Sequence, residues 1–207
     1  MHDSSAALIP YLKYFDEPFV LISTGTWCIS LNPFSNSPLI AEELQNDALC
    51  YLTHEGKQVK ASRLFAGYEH EQQTKKISAF FNKPVNYYNA IKFDGVFADP
   101  GSSKYNLSLC QSYEEAYHGF MHHLIKKQFA STQLILDGSA VKRIFVDGGF
   151  SNNDVYMNLL ARIFSGMEVF AASIPQASAI GAAMVIHHAW NKKMLPENLI
   201  ELKNYSA

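Results

Sequence analysis

Cysteine is scarce. Cys28, Cys50 and Cys110 are odd in number, widely spaced and without a Cys-x-x-Cys pair, which excludes a disulfide framework and a zinc site of the usual spacing. They read as reduced thiols, the usage expected of a cytoplasmic protein. Basic residues are not in excess: 17 Lys and Arg stand against 19 Asp and Glu, for a formal net charge of -2. That balance lacks the electrostatic footprint of a nucleic-acid binder or a membrane-surface protein. No apolar run approaches the roughly 20 residues that span a bilayer. No charged-then-apolar leader opens the sequence, so export is not expected.

What is present is apolar surface to bury. Of the 207 residues 48% are apolar and only 17% charged, enough for a sizeable core in one large domain or two small ones. The chain is organised around Ile144-Phe145-Val146-Asp147-Gly148-Gly149-Phe150-Ser151-Asn152-Asn153, followed by apolar positions at helical spacing. This pattern predicts a buried strand, a tight turn and a helix. The paired glycines let a ligand approach the backbone, and Ser151, Asn152 or Asn153 can cap a helix whose free N–H groups suit an anion. The same pattern also serves as a packing corner.

In chain order, Ser4 or Ser5 caps a predicted helix toward Phe15, with Pro10 in its first turns. Phe19–Ser23 and Trp27–Leu31 form a hairpin about Thr24-Gly25-Thr26, and Ala48–Thr53 is a third strand of the meander. Residues 57–81 read as mostly helical, with Gly67 as a break. Residues 82–105, with Pro84, Pro100, Gly95, Gly101 and four aromatics, read as a long loop packed by its own rings or as a lid. Ser112-Tyr113-Glu114-Glu115 fits a capping box that opens a long helix, on which His118, His122 and His123 are expected at the exposed face. A strand over 143–146, a helix over 154–164, a strand over 168–172, a turn at Ile174-Pro175 and a small-residue helix over 176–186 follow. The stretch after Trp190 reads as a short tail helix with a frayed end. A meander followed by alternating helices and strands implies a mixed α/β sheet covered on both faces.

These residues resemble the C-terminal domain of the FGGY family of carbohydrate kinases, closest to its rhamnulokinase and L-fuculokinase branch. His2-Asp3-Ser4-Ser5-Ala6-Ala7 is similar to the family's catalytic-aspartate segment, and Ser23-Thr24-Gly25-Thr26-Trp27 to its phosphate-binding hairpin. Thr53-His54-Glu55-Gly56 resembles a sugar-binding Thr-Asn-Glu-Gly stretch, with His54 in place of the asparagine. Asp147-Gly148-Gly149 with Asn153 resembles the adenosine motif, and Ala177–Ala183 the helix after it. The resemblance implies an actin-like, ribonuclease-H-like ATPase domain with a sheet of about five strands.

It also implies roles. Asp3 would be the general base, and Gly25, Thr26, Gly67, Gly148, Gly149 and Asn153 would bind nucleotide. His2, Asp3, Ser4 and His54 would touch a ketose of the rhamnulose, fuculose or xylulose class. The γ-phosphoryl donor would be ATP with Mg²⁺, the metal held mainly by an N-terminal domain whose Asp-x-Gly-Thr loop does not occur in this sequence. The resemblance therefore describes residues 1–207 as a second half, inactive alone, with a cleft face open to self-association. Asp3 can equally be a plain helix cap, and Thr26 a plain turn residue. Two other functions compete: a non-catalytic actin-like module that binds nucleotide or a partner, and a metal-dependent hydrolase using His2, Asp3, His54 and His122.

Overall fold

Side chains on a strand point alternately to its two faces, and strand β1, Phe19–Thr24, uses that alternation to divide the core in two. Phe19 and Leu21 enter one apolar cluster and Val20 and Ile22 the other; all four are fully buried. The computed structural model describes residues 2–97, 105–136, 139–174, 176–196 and 199–206. Pro100, Gly101 and Pro175, assigned to loop and turn from sequence, lie outside the described residues.

Strands β2 (Cys28–Asn32), β3 (Ala48–Leu52), β4 (Gln58–Leu64), β5 (Arg143–Gly148), β6 (Glu168–Ser173) and β7 (Glu201–Tyr205) join β1 in a mixed sheet of order β3-β4-β2-β1-β5-β6-β7. Only the β1–β5 and β5–β6 pairings are parallel. On one face lie α3 (Ala66–Phe80), α4 (Tyr113–Gln133) and α5 (Asp154–Ile163), packed through residues such as Ile77, Phe120, Leu124 and Leu160. On the other lie α1 (Asp3–Tyr14) and α6 (Ala177–Val185), with Leu8 and Tyr11 of α1 packed against Phe145 of β5. Short helices α2 (Ala41–Gln45) and α7 (His187–Trp190) complete the set among the described residues.

Among the described residues there are seven strands where about five are expected from sequence, the added ones being β4 and β7. Residues 58–64 belong to the stretch 57–81 that the sequence reads as mostly helical. They form β4 instead, since their polar groups find distant partners: Lys60 Nζ bonds Glu43 Oε1 at 2.7 Å and Ser37 Oγ at 2.9 Å, and Ser62 Oγ accepts from Ser131 Oγ of α4 at 3.1 Å. The meander thus runs β1-β2-β4-β3, and Gly67 opens α3 rather than breaking a helix. The expected tail helix is replaced at 201–205 by β7, an edge strand antiparallel to β6.

Helix α1 begins two or three residues earlier than expected. His2 occupies the cap position, and Ser4 and Ser5 are buried inside the helix. Pro10 falls in its third turn, where it cannot donate to the Ala6 carbonyl. Gly181 of α6 packs on that carbonyl: a Cβ at Gly181 would lie 1.8 Å from Ala6 O. The small-residue face of α6 therefore meets a backbone. On α4, Ser112 Oγ caps the Glu115 N–H at 3.1 Å as expected, but His118 is not exposed. Its Nδ1–H donates to Glu114 O at 2.7 Å and its Nε2 accepts from the Asp94 N–H at 3.2 Å, and burial pulls its pKa down.

Candidate functional site

The carboxyl ends of the parallel strands β1 and β5 stand side by side, with Thr24 opposite Gly148. Open α/β sheets bind ligands at such ends. Thr24 ties the two strands together. Its Oγ1 donates to Asp147 O at 2.5 Å and accepts from the Phe150 N–H at 3.0 Å. Gly148 is required for this joint: its φ is 87°, and a Cβ there would lie 2.0 Å from Thr24 O. Gly149, by contrast, has nothing within 4 Å of a built Cβ, so its face is open to a ligand.

The hairpin turn is clamped from the other side by α3. A Cβ at Gly67 would lie 1.8 Å from Gly25 O, and the Tyr68 N–H donates to Thr26 O at 3.1 Å. The turn is thereby fixed between β5 and the start of α3. Asp147 sits beneath it with its Oδ1 accepting the Gly148 N–H at 2.6 Å, and burial raises its pKa. The hydroxyl of Tyr11 lies close enough to feel that carboxylate, but no hydrogen bond of good geometry forms and the hydroxyl is sealed without a partner.

Two cavities meet at Thr24 and Gly25. The first, of about 390 Å³, is lined by His2, Asp3, Ser4, Thr26, Tyr51 and Arg63 as well as the shared pair. Asp3 Oδ1 lies 2.6 Å from His2 Nδ1 and 2.8 Å from Ser4 N. His2 Nδ1 also lies 3.3 Å from Ser4 N, but a lone pair there would face the Asp3 oxygen at close range. The consistent arrangement has His2 Nδ1–H and the Ser4 N–H both donating to Oδ1. Among the described residues Asp3 Oδ2 has no partner, and it is the oxygen left to accept from a ligand hydroxyl.

The second cavity, of about 360 Å³, is lined by Gly67 and His70 of α3, Tyr88 and Ile91 of the aromatic segment, and Gly149, Phe150 and Asn153. The segment once read as loop or lid is a wall of this cavity. Asn153 caps α5, its Oδ1 accepting from the Tyr156 N–H at 3.0 Å, while its Nδ2 donates to the Tyr117 hydroxyl at 2.6 Å.

The structure thus gathers His2, Asp3, Ser4, Gly25 and Thr26 in one cavity, and Gly25, Gly67, Gly149 and Asn153 in the other. Gly148 lines neither and acts through the strand joint. His54 stands apart: it lies in the β3–β4 hairpin, beyond the Leu52–Gln58 pair, and lines a third cavity of about 550 Å³ with Ile9 and Lys13. The length of β4 separates it from the site, about 20 Å at strand rise. Nor are the four residues of the hydrolase alternative brought together, since His122 Nε2 bonds Phe97 O at 2.7 Å. Among the described residues no group of three His, Cys, Asp or Glu could hold a metal ion. Sequence reasoning missed Arg63, hidden in a segment read as helix, and His70, which falls one turn after Gly67 on the same helix face.

The model for the FGGY family of carbohydrate kinases, C-terminal domain, matches residues 77–190, more than half of the chain. No curated protein sequence matches. Among solved structures, a carbohydrate kinase from Novosphingobium aromaticivorans aligns at TM-score 0.66 and 21% identity, over 100% of this chain and 47% of that one. Xylulose kinase from Bifidobacterium adolescentis aligns at TM-score 0.69 and 17% identity, over 99% of this chain and 43% of that one. Plasmodium falciparum glycerol kinase with ADP aligns at TM-score 0.50 and 14% identity, over 92% and 42%. The chain spans under half the length of these structures and shares with them an actin-like ATPase fold. Through its match over residues 77–190 the chain belongs to the FGGY family of carbohydrate kinases.

Proposed function

We propose that the chain is the nucleotide-binding and catalytic-base domain of an ATP-dependent sugar kinase, which phosphorylates a hydroxyl of a ketose of the xylulose, rhamnulose or fuculose class. One observation carries this reading: a cavity holding a carboxylate oxygen with no partner among the described residues and a cavity bordered by Gly149 and by the aromatic rings of Tyr88 and Phe150 meet at the Thr24-Gly25 turn. A sugar hydroxyl in the first would face a γ-phosphoryl group lying over the turn from the second. Asp3 Oδ2 takes the hydroxyl proton as the sugar oxygen bonds to phosphorus; the bond from phosphorus to the leaving oxygen breaks and ADP departs. Thr26 and the backbone of Gly25 hold the phosphates, and Gly67, Gly149 and Asn153 border the nucleoside. His2 and Ser4 orient Asp3. Mg²⁺ would need only one or two carboxylates beside the phosphate oxygens; among the described residues no group of three His, Cys, Asp or Glu would hold it without them.

The family's N-terminal domain is the partner this reading requires, with the sugar chosen largely on its side, and the assembly is soluble and cytoplasmic. Mixing the chain with a separately made N-terminal domain of a relative should restore sugar-dependent ADP release. Asp3→Asn should lower that rate by about 10²–10⁴-fold, the usual contribution of a general base. A second reading, a nucleotide-binding module without catalysis, draws on the exposure of Asp3, whose side chain is 77% accessible. ATP binding with no restored turnover, or turnover indifferent to Asp3→Asn, would favour it.

A further inference from the structure

Two side chains that line the second cavity, Asn153 and His70, are joined by the buried Tyr117 hydroxyl, and the proton positions of all three follow from their neighbours. Asn153 Oδ1 is fixed as an acceptor by the Tyr156 N–H, so Nδ2 is the group that donates to the Tyr117 hydroxyl. Tyr117 then has one proton to give and one remaining neighbour, His70 Nε2, at 2.9 Å. If Nε2 carried the proton instead, the Tyr117 hydrogen would have no acceptor. Nε2 is therefore the acceptor, and the ring proton sits on Nδ1. Burial pushes the His70 pKa down to about 4, so the ring is neutral at physiological pH.

His70 Nδ1 has no hydrogen-bond partner among the described residues. The side-chain polar atoms sealed from solvent without a partner are Tyr11 Oη, Arg63 Nε, Tyr105 Oη, Gln128 Oε1 and Tyr156 Oη, and Nδ1 is not among them. Nδ1 is therefore not sealed from solvent, and His70 lines the second cavity. The ring cannot turn away, because Tyr88 and Phe150 grip it edge-on at 4.8 and 5.2 Å with interplanar angles of 87° and 88°.

We propose that His70 is a nucleobase-reading residue: Asn153 and Tyr117 lock its imidazole so that Nδ1–H presents one fixed donor to a ring nitrogen of the bound base. This rests on the nucleotide reading of the cavity. The base is the part of the nucleotide that suits the rings held against His70, those of Tyr88 and Phe150, with Glu71, Lys92 and Asp154 also lining the cavity. A neutral donor offers nothing special to phosphate. Asn153, assigned from sequence to touch the nucleotide, becomes a positioning residue that acts through Tyr117.

The test is an NMR titration of the full 207-residue chain with ATP, its 1-deaza, 3-deaza and 7-deaza analogues, and 2′-deoxy-ATP. Long-range ¹H–¹⁵N spectra of the histidines without ligand read the tautomer directly. The expected result is the Nδ1–H tautomer, with one deaza analogue binding roughly three- to tenfold more weakly than ATP, the worth of one neutral hydrogen bond. That gap should close in His70→Phe. Tyr117→Phe, which keeps the histidine but removes its lock, should give a mixed tautomer spectrum and a smaller gap. An Nε2–H tautomer, equal affinity for ATP and all three deaza analogues, or a loss confined to 2′-deoxy-ATP would overturn the assignment alone. No response to millimolar ATP would overturn the nucleotide reading and this one with it.

Discussion

Burial of His70 makes a stability prediction that needs no ligand. The residue is 8% exposed, and its pKa is pushed down to about 4 from the ordinary 6.5, chiefly by desolvation. Between these values the unfolded chain binds a proton that the folded chain refuses, so this contribution to stability is fully present above pH 6.5 and is lost as pH falls toward 4. At pH 4.5 the loss is about 2.5 kcal/mol, from 1.36 kcal/mol per pKa unit over most of the shift. Asp147, whose pKa is raised by burial, works in the opposite sense. His118, also depressed by burial, works in the same sense. Both are common to wild type and His70→Phe and cancel in the difference. Urea denaturation of the two proteins at several pH values from 8 to 4.5 supplies that difference. His70→Phe should lose stability at pH 8, where Tyr117 is deprived of its acceptor, and should regain about 2.5 kcal/mol relative to wild type by pH 4.5. A difference that stays flat across that range would refute the argument that the ring is held neutral.

The paired glycines should separate cleanly. Gly148→Ala places a Cβ against Thr24 O at a φ of 87° and should cost at least about 2 kcal/mol in denaturation, whereas Gly149→Ala meets nothing and should change stability by less than about 0.5 kcal/mol while weakening ATP binding in calorimetry. Gly181→Ala should force α1 and α6 apart, at a cost of about 1–3 kcal/mol that a thermal melt would show as a fall of several degrees. Lys60→Met should leave the Glu43 carboxylate without its 2.7 Å partner and destabilise by about 2 kcal/mol; adding Glu43→Gln should recover most of that loss.

The parts of the fold legible in the sequence were those whose composition and tertiary role agree. Ile144–Gly149 is apolar and then glycine-rich, and it is a buried strand and a turn. Tyr117, Phe120, Met121, Leu124 and Ile125 recur at helical spacing, and they do face the core. The illegible parts were those where a distant partner overrode local chemistry. Lys60, Ser62 and Arg63 argue against a strand until Glu43, Ser131 and Asp47 are in place to satisfy them. His118 looks like a surface residue until Asp94 and Glu114 take its two nitrogens. For His54 the difficulty was directional: the sequence placed it at the end of β3, but which end of the sheet that is depends on β4, the strand that went unrecognised. His70 carried no signal of its own, because its meaning comes from Tyr117 and Asn153, distant in sequence from it.

Glycine use makes the same point about the site. Three carbonyls, Ala6 O, Thr24 O and Gly25 O, are approached so closely that a Cβ on Gly181, Gly148 or Gly67 would stand within 2.0 Å of them. Each contact fixes one part of the working edge: the helix that carries Asp3, the joint between β1 and β5, and the hairpin that carries Thr26. At their Cβ positions these glycines serve protein against protein, although Gly67 also borders the second cavity and Gly148 is exposed at the end of β5. Gly25 and Gly149 are the ones whose Cβ positions stand clear, with nothing nearer than 3.9 Å, and both line the second cavity. A sequence motif counts all five alike. The packing separates three whose Cβ positions are filled by a neighbouring carbonyl, Gly67 among them though it also borders the cavity, from two whose Cβ positions stand open.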